Sequence, residues 1–87
     1  MRNILIEKNA IEDFEYWGKT DLKILKKIAE LFLAISKVPF KGIGKPEPLK
    51  ADLKGYWSRR INDEHRVVYT IRSNEVIIIS CRSHYKF

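Results

Sequence analysis

Apolar and polar positions alternate on two different periods along this chain, and the change of period divides it into a helical part and a sheet part. Residues 2–7 hold Ile4, Leu5 and Ile6 together, which predicts a short first strand. Asn9 then offers a helix N-cap with Glu12 three residues on, as in a capping box. Ala10, Phe14 and Trp17 follow at i, i+4 and i+7 on one helical face, and Gly18 is expected to end that helix. Thr20 offers a second N-cap, with Asp21 placed to favour the first turn. Over residues 22–37, Leu25, Ile28, Phe32 and Ile35 form a stripe widened by Ile24 and Leu31, while Lys23, Lys26, Lys27 and Lys37 lie mostly off it. That is an amphipathic helix with something to pack against, and Pro39 stops it.

Residues 40–50 hold two of the four glycines and two of the three prolines, so they are predicted to be a loop. A loop that long in a small domain is usually functional or disordered. After Gly55, strands are predicted at residues 56–61, 66–72 and from 75 or 76 to 82, with turns at 62–65 and from Ser73-Asn74. A three-residue loop, Ser73-Asn74-Glu75, would put Val67, Tyr69 and Ile71 on one face with Ile77, Ile79 and Cys81. Arg66, Val68, Thr70, Arg72, Ile78, Ser80, Arg82 and His84 would share the other. The expected fold class is α+β in the order β-α-α-β-β-β: two helices on one face of a small antiparallel sheet, the other face open.

Composition narrows this further. The 87 residues suit one domain, residues 1–87, and such a chain buries only about 60% of its unfolded surface. With 45% hydrophobic residues it can still build a packed core. No apolar run approaches the roughly 20 residues of a membrane span, and the N-terminal run is too short for a signal peptide. A cytoplasmic protein without membrane contact is expected. Cys81 is the single cysteine, which excludes an intrachain disulfide and a cysteine-based zinc site. The net charge of +6 sits almost wholly in residues 41–87, where ten Lys/Arg, five of them arginines, face five Asp/Glu. A cationic half of this kind points to a polyanionic partner.

Cutting RNA without a metal needs a base for the ribose 2′-OH, a cation for the phosphate and an acid for the departing 5′-oxygen. Glu47, between Pro46 and Pro48 in a conformationally restricted loop, suits the base. Arg66 suits the cation, because a guanidinium grips two phosphate oxygens at once. His84 suits the acid, since imidazole titrates near neutrality. Each has a plainer account: a loop glutamate balancing Lys45 and Lys50, an edge ion pair of Arg66 with Asp63 or Glu64, and an exposed terminal histidine. Lys50, Arg59, Arg60 and Arg82 could track an RNA backbone, and Tyr85 could stack on a base. Arg59 and Arg60 alternate faces, so only one can join Arg66. His65 is read as structural, and Trp57 as core. No cofactor or metal is expected, because the two histidines and one cysteine lack ligand spacing.

The order of these segments adds what none supplies singly. The run Pro39-Phe40-Lys41-Gly42-Ile43-Gly44-Lys45-Pro46-Glu47-Pro48-Leu49-Lys50 is followed by Gly55-Tyr56-Trp57-Ser58-Arg59-Arg60-Ile61 and Glu64-His65-Arg66-Val67-Val68-Tyr69. With the ending Cys81-Arg82-Ser83-His84-Tyr85 and the early Asp13-Phe14-Glu15-Tyr16-Trp17, the chain closely resembles the YoeB/Txe toxins of the RelE superfamily over nearly its whole length. The resemblance implies the toxin of a type II toxin–antitoxin system: a ribosome-dependent endoribonuclease (an mRNA interferase) that cuts mRNA in the ribosomal A site. It implies Glu47 as general base, Arg66 as phosphate-stabilising arginine and His84 as general acid with Tyr85 beside it. Lys50 and Arg60 then support the substrate. A homodimer and a YefM/Axe-type antitoxin, whose C-terminal segment wraps the toxin, are implied as partners. Two features depart from the pattern: Ser83 stands where a bulkier aromatic is common, and Lys86-Phe87 extend past the His-Tyr ending. The competing readings are a non-catalytic inhibitor on the same scaffold, like the ParE-type relatives, and a basic RNA-binding module that never cuts.

Overall fold

The computed structural model describes residues 1–82. The elements run β1 (Ile4–Ile6), α1 (Lys8–Thr20), α2 (Leu22–Lys37), β2 (Glu47–Pro48), β3 (Trp57–Arg60), β4 (Arg66–Arg72) and β5 (Glu75–Ser80), with a 3-10 turn at Ala51–Leu53. Two helices and a sheet were expected, and both are present. The helix boundaries differ. Glu7, not Asn9, is the residue preceding α1, and α1 runs past Gly18 to Thr20. Thr20 does not cap α2, because its hydroxyl donates back to Tyr16 O at 2.7 Å. Asp21 joins the helices instead: its N–H bonds to Trp17 O, while its Oδ1 accepts from Lys23 N at 3.0 Å and Ile24 N at 3.4 Å. One carboxylate thus satisfies amides that the start of α2 would otherwise leave open.

The sheet has five strands in the order β1-β5-β4-β3-β2. The expected strands are joined by a two-residue edge strand, β2, inside the stretch read as loop. Proline is tolerated there because an edge strand has one side with no ladder to complete. The sheet is mixed rather than wholly antiparallel: β1 runs parallel to β5, pairing Ile4 with Val76 and Ile6 with Ile78. The long path through the helices and the hairpins makes that parallel pairing possible.

The β4–β5 register differs from the expected one. Arg72 pairs with Glu75, so the loop is the two residues Ser73-Asn74, both left-handed at φ 52° and 61°. Tyr69 pairs with Ile78 and Val68 with Ser80, leaving Ile79 as the extra residue of a bulge. The bulge resolves what strict alternation could not. Ile78 and Cys81 lie three residues apart, yet both join the helix-side core with Val67, Tyr69, Val76, Ala10, Trp17, Ile28, Leu31, Phe32 and Ile35. Ile77 and Ile79 fall on the opposite face with Val68, beneath Leu49, Leu53 and Tyr56 of the segment before β3. That face is therefore partly covered rather than open. Thr70 fastens the cover by donating from Oγ1 to Gly55 O at 2.8 Å.

Ser73 holds a backbone conformation that glycine or asparagine occupies at lower cost. The double variant Ser73→Asn/Asn74→Gly should stabilise the protein by roughly 1 kcal/mol and raise Tm by about 4–8 °C in a scanning calorimeter. No change or a fall in Tm would overturn the two-residue turn.

Candidate functional site

The sheet face away from the helices brings Glu47, Arg60 and Arg66 together through strand register. Glu47 pairs across β2–β3 with Ser58, Ser58 with Val68, and Val68 with Ser80. Arg60 pairs with Arg66 one step further along the same face. Glu47 and Arg66 are thus two strands and two residues apart, roughly 12 Å between Cα atoms at ordinary strand spacing. Glu47 and Lys50 are exposed, and together with Pro48 and Leu49 they line an open groove. Arg60 is exposed, and its backbone N–H donates to Gly44 O at 2.6 Å.

Arg66 lies on the expected face but not as a projecting side chain: only 7% of it is exposed. The expected ion pair with Asp63 or Glu64 is replaced by backbone contacts. Nη1 donates to Asn62 O at 2.9 Å, His65 O at 3.2 Å and Asp63 O at 3.4 Å. The local sequence explains why. Asn62 Oδ1 accepts from Glu64 N at 2.9 Å and His65 N at 2.7 Å, an Asx-type turn that bends residues 62–65 so their carbonyls converge on the guanidinium. All these bonds run through Nη1, and no carboxylate pairs with Arg66 among the described residues.

Arg59, expected as one of the residues that could track RNA, is instead fully buried at 0% exposure on the helix side. Its Nε donates to Tyr69 Oη at 3.2 Å, Nη1 to Ile43 O at 3.2 Å, and Nη2 to Val38 O at 2.6 Å and Lys41 O at 2.8 Å. The reason is register: Arg59 faces Val67, inside the core face, whereas Arg60 faces Arg66 outside it. Composition gave no signal separating the two; strand parity did.

The C-terminal end of β5 is held by α1. Trp17 Nε1 donates to Cys81 O at 2.8 Å, and Cys81 N donates to Asp13 Oδ2 at 3.0 Å. The Arg82 guanidinium lies 3.5 Å above the Tyr16 ring, a cation–π contact rather than a free backbone-tracking arm. His65 packs edge-on against Trp17 at 4.7 Å, which fits its structural reading. Trp57 lies against Phe40 with ring centroids 4.7 Å apart and planes tilted by 43°, and it packs against the core. His84 and Tyr85 lie outside the described residues. Sequence reasoning missed the holding role of Asp13 and Trp17, although their spacing of four residues on one helical face was visible.

Burial pushes the Cys81 thiol up to about 12, reinforced by the Asp13 charge, so the thiol is inert near neutrality. Burial also raises the Tyr69 phenol, against the Arg59 hydrogen bond and charge, and keeps it a hydroxyl that donates to Pro39 O at 2.6 Å. Asp13 is raised by burial, which outweighs the Cys81 N–H and the Arg82 charge that lower it. Among the described residues no group of three His, Cys, Asp or Glu side chains could hold a metal ion. No helix there is long and apolar enough to cross a membrane.

Comparison with known proteins bears on this arrangement. The family of YoeB-like toxins of bacterial type II toxin–antitoxin systems matches residues 6–85. The chain is 60% identical over 74 residues to a Toxin YoeB from Synechocystis sp., covering 85% of this chain and 86% of the relative. It superposes on the YoeB of a YoeB–YefM complex from Staphylococcus aureus at a TM-score of 0.87 and 48% identity, covering 98% of this chain and 99% of that one. It also superposes on the YoeB dimer from Staphylococcus aureus at 0.88 and 49% identity, covering 97% and 98%.

A raised folded-state pKa at Asp13 means that folding favours its protonated form. Its contribution to stability is fully present below the ordinary aspartate value and is lost as pH rises through the raised one. The amide introduced by Asp13→Asn keeps an acceptor for Cys81 N but does not titrate. The Tm of the native chain minus that of Asp13→Asn should therefore fall as pH is raised from about 3.5 to about 6. A flat or rising difference in thermal melts would contradict the burial of this carboxyl.

Proposed function

The chain belongs to the YoeB-like toxins of bacterial type II toxin–antitoxin systems, and from that premise we propose that it is a metal-independent endoribonuclease cutting mRNA in the ribosomal A site, thereby arresting translation. Glu47 takes the proton of the ribose 2′-OH, whose oxygen attacks the adjacent phosphorus. Arg66 stabilises the charge gathering on the phosphoryl oxygens, and His84 protonates the departing 5′-oxygen. The products are a cyclic 2′,3′-phosphate and a free 5′-hydroxyl. Lys50 and Arg60 hold the strand beside the groove, and Tyr85 contributes to substrate binding.

One observation carries this reading: Arg66 is a buried cation anchored through Nη1 to three turn carbonyls, with no anion paired to it among the described residues. A guanidinium fixed before substrate arrives stabilises developing charge with little reorganisation. Arg59 is buried too, but its nitrogens are taken up by the fold. No carboxylate among the described residues pairs with Arg66, and a phosphodiester would supply the anion. The exposed carboxylate of Glu47 on the same face gives that phosphodiester a base.

The partners follow from the same reading. A YefM-type antitoxin disables the site, and two copies form the working toxin, consistent with the Staphylococcus aureus complex and dimer. Its place of action is the cytoplasm, where ribosomes translate.

Glu47→Gln and His84→Gln should each lower mRNA cleavage by about 10²–10⁴-fold while leaving the fold intact. Arg66→Lys should lower it as well, since an ammonium cannot reproduce the fork. Primer extension on a ribosome-bound message reads the cuts, and induced expression reads the growth arrest. If Glu47→Gln and His84→Gln both cut like the native chain, the assigned roles are wrong.

A further inference from the structure

The buried cluster around Arg59 is the largest polar device that the proposed chemistry leaves unused, and its contacts run toward Glu47. The guanidinium spans three carbonyls of the α2–β2 connection, at Val38, Lys41 and Ile43. Tyr69 accepts from Arg59 Nε and donates to Pro39 O, adding a fourth fixed carbonyl. The chain lies so close that a Cβ at Gly42 would meet Arg59 Nη1 at 3.2 Å, and one at Gly44 would meet Leu31 Cδ2 at 2.8 Å and Arg59 Cβ at 3.1 Å. Both glycines have φ values closed to most side chains, 122° and 84°. Beyond Gly44, whose carbonyl accepts from Arg60 N, only Lys45 and Pro46 separate this fixed segment from Glu47.

We infer that Arg59 is a positioning residue for the proposed cleavage: from inside the fold it holds residues 38–44 and thereby sets where the Glu47 carboxylate stands. The inference rests on Glu47 serving as the base. The ladder around β2 is short, with Glu47 and Pro48 paired to β3 and one further bond from Leu49 N to Tyr56 O at 2.9 Å, so residues 38–46 leading into Glu47 must be held by other contacts. Proline contributes no N–H to that ladder. The connection before β2 adds rigidity to this approach, because four of its carbonyls are tied to one planar guanidinium and its tyrosine partner. Lysine at this position could reach one or two of these carbonyls but not span them.

The test uses the full chain and four variants: Glu47→Gln, Arg59→Lys, the double variant of these, and Tyr69→Phe. Each is followed by single-turnover cleavage of ribosome-bound message and by hydrogen exchange. Arg59→Lys should lower the cleavage rate by roughly 10–100-fold, as a misplaced base does, with substrate binding nearly unchanged. The double variant should cut no more slowly than Glu47→Gln alone, because a residue acting through Glu47 has nothing left to position. Exchange should quicken within residues 38–47. Tyr69→Phe, which removes one hydroxyl and keeps the ring, should show the same pattern more weakly, so the inference survives a failure of Arg59→Lys to fold.

Multiplying losses in the double variant would overturn the inference, as would a loss that merely tracks the unfolded fraction in melting curves. Slower cleavage with unchanged exchange in residues 38–47 would overturn it too. Should the native chain itself fail to cut RNA, the nuclease reading falls, while the exchange pattern of Tyr69→Phe still decides whether the cluster holds the connection.

Discussion

A single extra residue in β5 governs how this chain divides its side chains between two faces. Because Ile79 is inserted opposite the Val68–Tyr69 step, the alternation restarts, and Ile78 and Cys81 both reach the helix-side core. Without that reset Cys81 would turn away from α1. Its backbone would then lose the indole of Trp17 and the carboxylate of Asp13, and its side chain would leave Ala10. The position of Cys81 at the end of the sheet is fixed by these contacts, so a small irregularity of one strand sets where β5 meets α1.

Two arginines adjacent in neither face nor fate show how the fold assigns charge. Arg59 and Arg66 are both buried, and neither is paired with a carboxylate among the described residues. Burying a cation without an anion is costly unless dipoles replace the lost water. Arg59 meets that demand through carbonyls and a phenol on all sides, which makes it a strut. Arg66 meets it through one nitrogen, Nη1, which donates to three carbonyls of the β3–β4 turn. The division follows from strand parity: Arg59 ties down the α2–β2 connection, while Arg66 is held at the β3–β4 turn.

The small size of the chain makes α1 serve three ends. Its apolar side contributes Ala10 and Trp17 to the core, its Asp13 and Trp17 hold the end of the sheet, and its Tyr16 packs beneath Arg82. A larger domain could separate these duties. Here α1 and the end of β5, as far as Arg82, are stabilised together.

Local periodicity and contiguous motifs were enough to read the two amphipathic helices, the α+β class, the strands after Gly55 and the family from the chain before any fold was in view. Residue type offered Glu47, Arg66 and His84 as candidates, each with a plainer account beside it; Glu47 and Arg66 fall on one sheet face, and His84 lies outside the described residues. The register expected for β4–β5 was wrong, and nothing in the residue pattern hinted that β1 runs parallel to β5. The face expected to be open is partly covered by Leu49, Leu53 and Tyr56. Those outcomes were settled in three dimensions for one reason. A bulge, a parallel crossover and the burial of Arg59 rather than Arg60 depend on which residues meet across strands far apart in the chain, and periodicity within a strand holds no information about its partner.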